Sequence, residues 1–307
     1  MTEEAQIPVD VAALALAWKA AREEDGLIDV GDPTELWRWR FESAPGAVDA
    51  VADDSGAFAV IPGRVNEAGD PARWALATAT GRAGDLGKRF VKTAGGMGEG
   101  IHTFYLLHTE RTGALMRESI GFETVRDQNR LMLGASGFEG GDLVPEPLDG
   151  WSDPLAALLS ERLPGERAER IRDEAWFRWR FLDAPVAGYR IHGVRAGEKL
   201  AGYAVTRTEE LFGERATWAV DWHVPSGDPI VVRALASAVT ARASTDGAER
   251  AGWILPDTVP DWITLQLLGA RMEPTRHFLD VRTFSRQTTD RWLHQNWAYT
   301  LADFDLV

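Results

Sequence analysis

At 307 residues with 45% hydrophobic content, the chain is longer than a typical domain and carries enough apolar surface for two cores. It has no cysteine, which excludes disulfides, thiolate metal sites and cysteine nucleophiles, and its 6 histidines form no HxH or HExxH pairing that suggests a metal site. A formal net charge of −14 repels polyanions and gathers cations, so nucleic acid is not an expected ligand; the acidic surface keeps the protein soluble, with a cationic acceptor such as a free amine as the functional alternative.

In chain order, Met1-Thr2-Glu3-Glu4 is acidic where an export signal is positively charged, and the apolar stretch from Val11 to Ala21 is broken by Lys19. A soluble cytoplasmic protein without a membrane span is expected. Residues 36 to 45 then read Leu-Trp-Arg-Trp-Arg-Phe-Glu-Ser-Ala-Pro. Alternating runs from Val48 to Ala52 and from Ala57 to Pro62, separated by Asp53-Asp54-Ser55-Gly56, predict a hairpin. A strand over Arg73 to Ala79, a helix over Leu86 to Thr93, a strand over Thr103 to Leu107, a second helix and a strand over Arg130 to Leu133 follow.

The Gly/Pro-rich stretch from Gly137 to Asp153 has the composition of a linker, with a boundary near residue 145. Beyond it the pattern begins again. Residues 176 to 185 read Trp-Phe-Arg-Trp-Arg-Phe-Leu-Asp-Ala-Pro, so that Arg38, Trp39, Arg40, Phe41, Ala44 and Pro45 recur as Arg178, Trp179, Arg180, Phe181, Ala184 and Pro185. Strands over Tyr189 to Val194, Leu200 to Thr206 and Ala216 to Trp222, a helix over Pro229 to Ala243, strands over Gly252 to Leu255 and His277 to Thr283, and an intervening helix complete the second copy. Aromatics this dense anchor a core, and arginines beside them commonly pair with carboxylates, so the repeated segment reads as packing.

The repeat resembles that of bacterial tandem N-acyltransferase (GNAT) proteins, which carry Trp-Arg-Trp-Lys/Arg-Tyr/Phe-x-x-x-Pro ahead of the first hairpin of each half. The tail, Asn296-Trp297-Ala298-Tyr299-Thr300-Leu301-Ala302-Asp303-Phe304-Asp305, is similar to the ending of such proteins. The resemblance implies an α+β fold of two tandem GNAT-like domains, residues 1–145 and 146–307, each a mixed, mostly antiparallel, V-splayed sheet flanked by helices. It also implies acetyl-CoA or another acyl-CoA as donor substrate, without a metal.

The family's Arg/Gln-x-x-Gly-x-Gly/Ala loop lets backbone N–H groups at a helix start face a pyrophosphate. Its counterpart here is Thr80-Gly81-Arg82-Ala83-Gly84-Asp85-Leu86-Gly87-Lys88, which makes Arg82, Ala83, Gly84, Leu86, Gly87 and Lys88 the candidate coenzyme-binding residues. Asp85 stands where the first glycine is expected. The second half has His223-Val224-Pro225-Ser226-Gly227-Asp228-Pro229 there, and its two prolines remove donors. The family tyrosine that protonates the departing thiolate falls on Arg117, a poor proton donor, and no carboxylate lies in Trp74 to Ala79.

Candidates for proton transfer are therefore His108 and Glu110, at the end of the next strand, and Asp221 and His223 in the second half; a water relay also suffices. The expected activity is transfer of an acyl group, most simply acetyl, to an amine of a small metabolite. The alternative is a catalytically silent scaffold that binds a small ligand or a protein in the cleft between halves.

Overall fold

The computed structural model describes residues 11–24, 31–46, 49–53, 56–81, 100–136, 138, 140–285 and 288–304. Helix α1 (Val11–Glu24) buries Trp18 edge-on to Trp37 and Phe41. Helix α2 (Pro33–Trp37) starts on Asp32, whose carboxylate accepts from the Glu35 N–H, with proline at the first position. It widens into a π-helical turn, Arg38–Glu42, that holds the Phe41 ring 4.3 Å from Trp37. The second copy folds the same way: α5 (Glu174–Phe177) is capped by Asp173 and runs into a π-turn, Arg178–Leu182, with Phe177 and Phe181 5.1 Å apart.

In the first half β1 (Asp49–Asp53), β2 (Gly56–Glu67), β3 (Asp70–Gly81) and β4 (Ile101–Thr109) lead to α3 (Glu110–Ile120), which ends on Gly121 at φ 74°, a left-handed cap that favours glycine. Strand β5 (Glu123–Gly134) follows. The helix expected over Leu86 to Thr93 lies outside the described residues. The expected linker contains a strand, β6 (Glu146–Leu148), which adds to the edge strand β8 (Arg190–Ala196); an edge tolerates Pro147, and Gly193 opposite leaves room for Leu148. Helix α4 (Asp153–Ser160) and β7 (Ala168–Arg170) precede the second repeat.

Strands β9 (Lys199–Leu211) and β10 (Glu214–His223), helix α6 (Pro229–Thr245), β11 (Arg250–Trp253), α7 (Pro260–Leu267) and β12 (Arg271–Thr283) form the rest of the second half. Helix α8 (Asp290–Asn296), β13 (Trp297–Ala298) and a 3-10 turn (Leu301–Asp303) close the described chain.

A mixed, mostly antiparallel sheet flanked by helices is what these strands build, but it is continuous across both halves. Its order is β13-β7-β2-β3-β4-β12-β5-β11-β10-β9-β8-β6, with β1 also on β2. The last strand of each half crosses into the other: β12 lies between β4 and β5, and β5 lies between β12 and β11. Arg130 and Arg250, each paired with both Glu214 and Glu273, tie β5, β10, β11 and β12 together at this seam.

Side chains alternate across the strands. Trp74, Leu76 and Tyr105 face one aromatic core that both halves share with Trp297, Tyr299 and Phe304 of the tail. Ala75, Ala77, Phe104 and Leu106 face α3 on the opposite side, and α6 and α7 cover the second half there.

Candidate active site

Strands β3 and β4 run parallel, and their pairing ends at Leu76 opposite Tyr105. Beyond that point β3 continues along β2 to Gly81 and β4 along β12 to Thr109, so among the described residues the two strands part with nothing between them. A sheet edge opened by such a gap is a place where an extended ligand can pair with main-chain groups.

A cavity of about 450 Å³ lies on the aromatic face beside this gap, and Leu76 is part of its wall. That volume suits a small molecule. Ile61 and Gly63 come from the first half, Trp176, Trp179 and Arg180 from the second, and Ala302 to Phe304 from the tail. Gly63 leaves the space in which the Arg170 guanidinium lies across β2, and a β-carbon there would force that guanidinium to shift. Arg170 donates to Asp303 at 2.7 Å and to the Tyr105 hydroxyl, which donates in turn to the Asp303 carbonyl at 3.2 Å. Burial, opposed by Arg170, pushes Tyr105 up to about 12, so it stays protonated at neutral pH.

The network continues into the second half. Arg172 stands 3.6 Å from Asp303 and grips Asp221 through three contacts of 2.9 to 3.1 Å. Thr300 Oγ1 donates to Asp221 at 2.8 Å, and the Tyr203 hydroxyl donates to its other oxygen. Burial raises the Asp221 pKa, but Arg172 and these hydrogen bonds outweigh it and the net shift is downward. Its oxygens are saturated. His223, two residues on, is buried with Nε2 3.2 Å from the Glu161 carbonyl, and burial together with Arg172 pushes it down to about 4, leaving a neutral imidazole.

His108 and Glu110 lie on the other side of the sheet. His108 Nε2 is 2.8 Å from Asp280 Oδ2 on β12, and its Nδ1 donates to the Thr109 carbonyl at 2.7 Å, so both ring nitrogens face acceptors. Arg117 bridges Asp280 at 3.1 Å and Glu110 at 2.7 Å. Burial lowers the Arg117 pKa, but Asp280 and Glu110 outweigh it and the net shift is upward, which fits an arginine that gives up no proton. Gly113, one turn into α3, leaves the space that His108 and Arg117 fill. The structure thus joins His108 to Glu110 through Asp280 and Arg117, and Asp221 to the cavity through Arg172 and Asp303. It does not bring the two pairs together. Arg82, Ala83, Gly84, Leu86, Gly87 and Lys88 lie outside the described residues.

The second half has its own parting strands. β10 and β11 pair in parallel only to Ala219 opposite Trp253, and β10 continues to His223 past a bulge between Ala219 and Asp221. Here the opening is filled. Trp222 donates to Asp261 at 2.7 Å, and with Tyr299 these side chains leave about 30 Å³, room for a water.

Asp280, Arg170, Arg172, Tyr105 and Asp303 are the polar positions around the candidate site that the sequence did not single out. Glu169-Arg170-Ile171-Arg172 carried a faint signal, since arginines two apart in an extended segment, here β7 and the two residues after it, point to one face. Asp280 carried none, because β12 reaches β4 only through the exchange.

No known family model and no curated protein matches the chain in sequence. Solved structures do match its fold. A GCN5-related N-acetyltransferase of Anabaena variabilis is 14% identical, with a TM-score of 0.62 over 90% of this chain and 71% of that one. A GCN5-related N-acetyltransferase of Sphaerobacter thermophilus is 15% identical, with a TM-score of 0.53 over 90% and 93%. N-myristoyltransferase of Saccharomyces cerevisiae, solved with bound myristoyl-CoA, is 10% identical, with a TM-score of 0.57 over 89% and 76%. The chain therefore has the fold of N-acyltransferases of the GNAT type.

Proposed function

We propose that the protein is an acyl-CoA-dependent N-acyltransferase, most simply an acetyltransferase, acting on an amine of a small molecule held between the halves. One observation carries this reading: the 450 Å³ cavity has in its wall Leu76, the last residue of β3 paired with β4 before the strands part. The fold matches to N-acetyltransferases and to an acyl-CoA-bound N-myristoyltransferase support the same donor.

In this reading the donor enters the gap between β3 and β4, with its pyrophosphate at Arg82 to Lys88, and the thioester carbonyl meets main-chain N–H groups of the strand edge at the gap. The acceptor nitrogen forms the new bond to the carbonyl carbon, the carbon–sulfur bond breaks, and the amine proton leaves through water. Asp173 and Asp303, the carboxylates of the cavity wall, are each held by an arginine. We assign His108 and Glu110 a positioning role through Asp280 and Arg117, which fix the end of β4 and the start of α3. Asp221 and His223 hold the second half and the tail in place.

The test is thiol release from acetyl-CoA against a panel of primary amines. Amine-dependent release is expected. A folded protein that neither binds acetyl-CoA nor releases thiol defeats the proposal and favours the silent scaffold, the reading to which Arg117, bound by Glu110 and Asp280 in place of a tyrosine acid, lends support.

A further inference from the structure

We propose that the acceptor carries a carboxylate and that Arg180 receives it, making the substrate class amino acids or short peptides with a free acid end. The inference rests on the cavity being the acceptor site. In a chain with a net charge of −14, the cavity wall inverts the sign: five arginines, Arg40, Arg64, Arg73, Arg170 and Arg180, face two carboxylates. Both carboxylates are already committed, Asp173 to Arg64 at 3.0 Å and Asp303 to Arg170 at 2.7 Å.

Arg180 is different. It is 2% exposed, and the carboxylate that acts on it through space, Glu209, is committed to Arg207 at 3.3 Å. Its Nε and Nη2 donate only to main-chain carbonyls, Ala302 at 3.2 Å and Phe304 at 3.4 Å, and its Nη1 is buried without a partner. A buried guanidinium served by long bonds to neutral acceptors retains most of its desolvation cost, and a carboxylate matches its planar fork. Burial, helped by the neighbouring Arg207 and Arg170, lowers its pKa more than Tyr189 and Glu209 raise it.

The rest of the wall selects the remainder of the ligand. Trp39, Trp179 and Arg40 surround Arg180 from the first and second copies of the repeat, with the Arg180 guanidinium 5.7 Å and that of Arg40 5.0 Å from the Trp39 ring. Ile61, Leu76, Trp176 and Phe304 give the cavity an apolar lining that suits a hydrocarbon side chain or backbone stem. A molecule with an acid at Arg180, an apolar middle and an amine directed toward the gap satisfies all three features.

Calorimetry of the full chain without coenzyme, using matched dipeptides that end in a free carboxylate or an amide, tests this directly. The acid is expected to bind at least about tenfold more tightly than its amide, the discrimination of one charge-assisted hydrogen-bonded pair. Arg180→Gln, shown folded by circular dichroism, is expected to abolish that preference, and Arg180→Lys to keep part of it. Equal binding of acid and amide by the unsubstituted protein overturns the inference, as does an undiminished acid preference in folded Arg180→Gln or the absence of any binding at millimolar ligand. The comparison of acid with amide needs no variant, so a misfolded Arg180 substitution leaves the test intact. Thiol release with amines that lack an acid, while acids fail to bind, removes this inference and leaves acyl transfer standing. Acid binding without thiol release from any amine does the reverse.

Discussion

Trp39 and Trp179 donate to each other: the indole N–H of Trp39 reaches the Trp179 carbonyl at 2.7 Å, and that of Trp179 reaches the Trp39 carbonyl at 2.9 Å. Their rings stack with centroids 5.5 Å apart. The two residues are 140 positions apart, which is also the displacement between the repeated segments, so each copy's tryptophan meets its own counterpart. A self-complementary contact of this kind marks a local two-fold axis between the halves. The repeat is thus an interface as well as a packing element.

Trp39→Phe and Trp179→Phe each keep an aromatic ring but leave a carbonyl without its donor. Each is expected to destabilise the chain by about 1–2 kcal/mol in chemical denaturation. The double variant should lose measurably less than the sum, because the two bonds support one stacked pair. Strict additivity would show that the reciprocal contact contributes nothing as a unit.

The exchange of final strands makes the halves mutually dependent. Residues 1–145 expressed alone lack β12, the strand that fills the space between β4 and β5. The fragment is expected to be insoluble or to show no cooperative unfolding, and co-expression with residues 146–307 should recover a soluble complex. A monomeric, cooperatively folding first half would contradict the exchanged topology.

Gly113→Ala tests the cluster around His108. A β-carbon at this position would lie 2.8 Å from Arg117 Nη1 and would run into the His108 ring, so the two side chains that hold Asp280 must shift. Overpacking of this kind costs about 1–3 kcal/mol. Asp280→Asn, which removes the carboxylate beside buried His108 while Arg117 keeps Glu110, should cost a similar amount, about 1–3 kcal/mol. Midpoints of urea denaturation read both.

Asp261 gives a pH-dependent prediction of the opposite sign. Burial raises its pKa to about 6, against 3.8 ordinarily, even though Trp222 donates to it. The folded state therefore binds the proton more tightly than the unfolded state. Its contribution is fully favourable below about pH 4 and is lost as pH rises through 6. Asp261→Asn keeps an acceptor for Trp222 and carries no charge, so it should stabilise the chain at pH 7 by on the order of 1–3 kcal/mol. That advantage should vanish as pH falls toward 4. A variant less stable than the parent at pH 7, measured by thermal unfolding in matched buffers, would refute the assignment of a buried, costly carboxylate.

The element pattern was legible because alternation and turn residues are local. Val48 to Pro62 gave β1 and β2, and the run from Arg73 to Ala79 lies inside β3. Strand β5 proved longer than Arg130 to Leu133 because its polar start, from Glu123 to Gln128, is paired along β12 and so needs no apolar signature of its own. The exchange itself left no local trace: β5 and β12 alternate alike whichever neighbour they take. His108, Glu110, Asp221 and His223 were picked out by residue type and by their place at or just after strand ends. Their partners Asp280 and Arg172 were not, since those contacts join segments 49 or more residues apart. Arg180 read as a structural cation because the motif alone does not reveal that its hydrogen bonds go to the main-chain carbonyls of Ala302 and Phe304.

The crossing of β5 and β12 has a consequence for how such a molecule changes over time. Once each copy's last strand completes the other's sheet, neither copy can be discarded, whatever becomes of its own cleft. The second copy, with its gap closed by Trp222, Asp261 and Tyr299, is retained by the first copy's need for β12. With its own gap closed, it can vary along the seam, and variation there reshapes the cavity without disturbing the parting of β3 and β4.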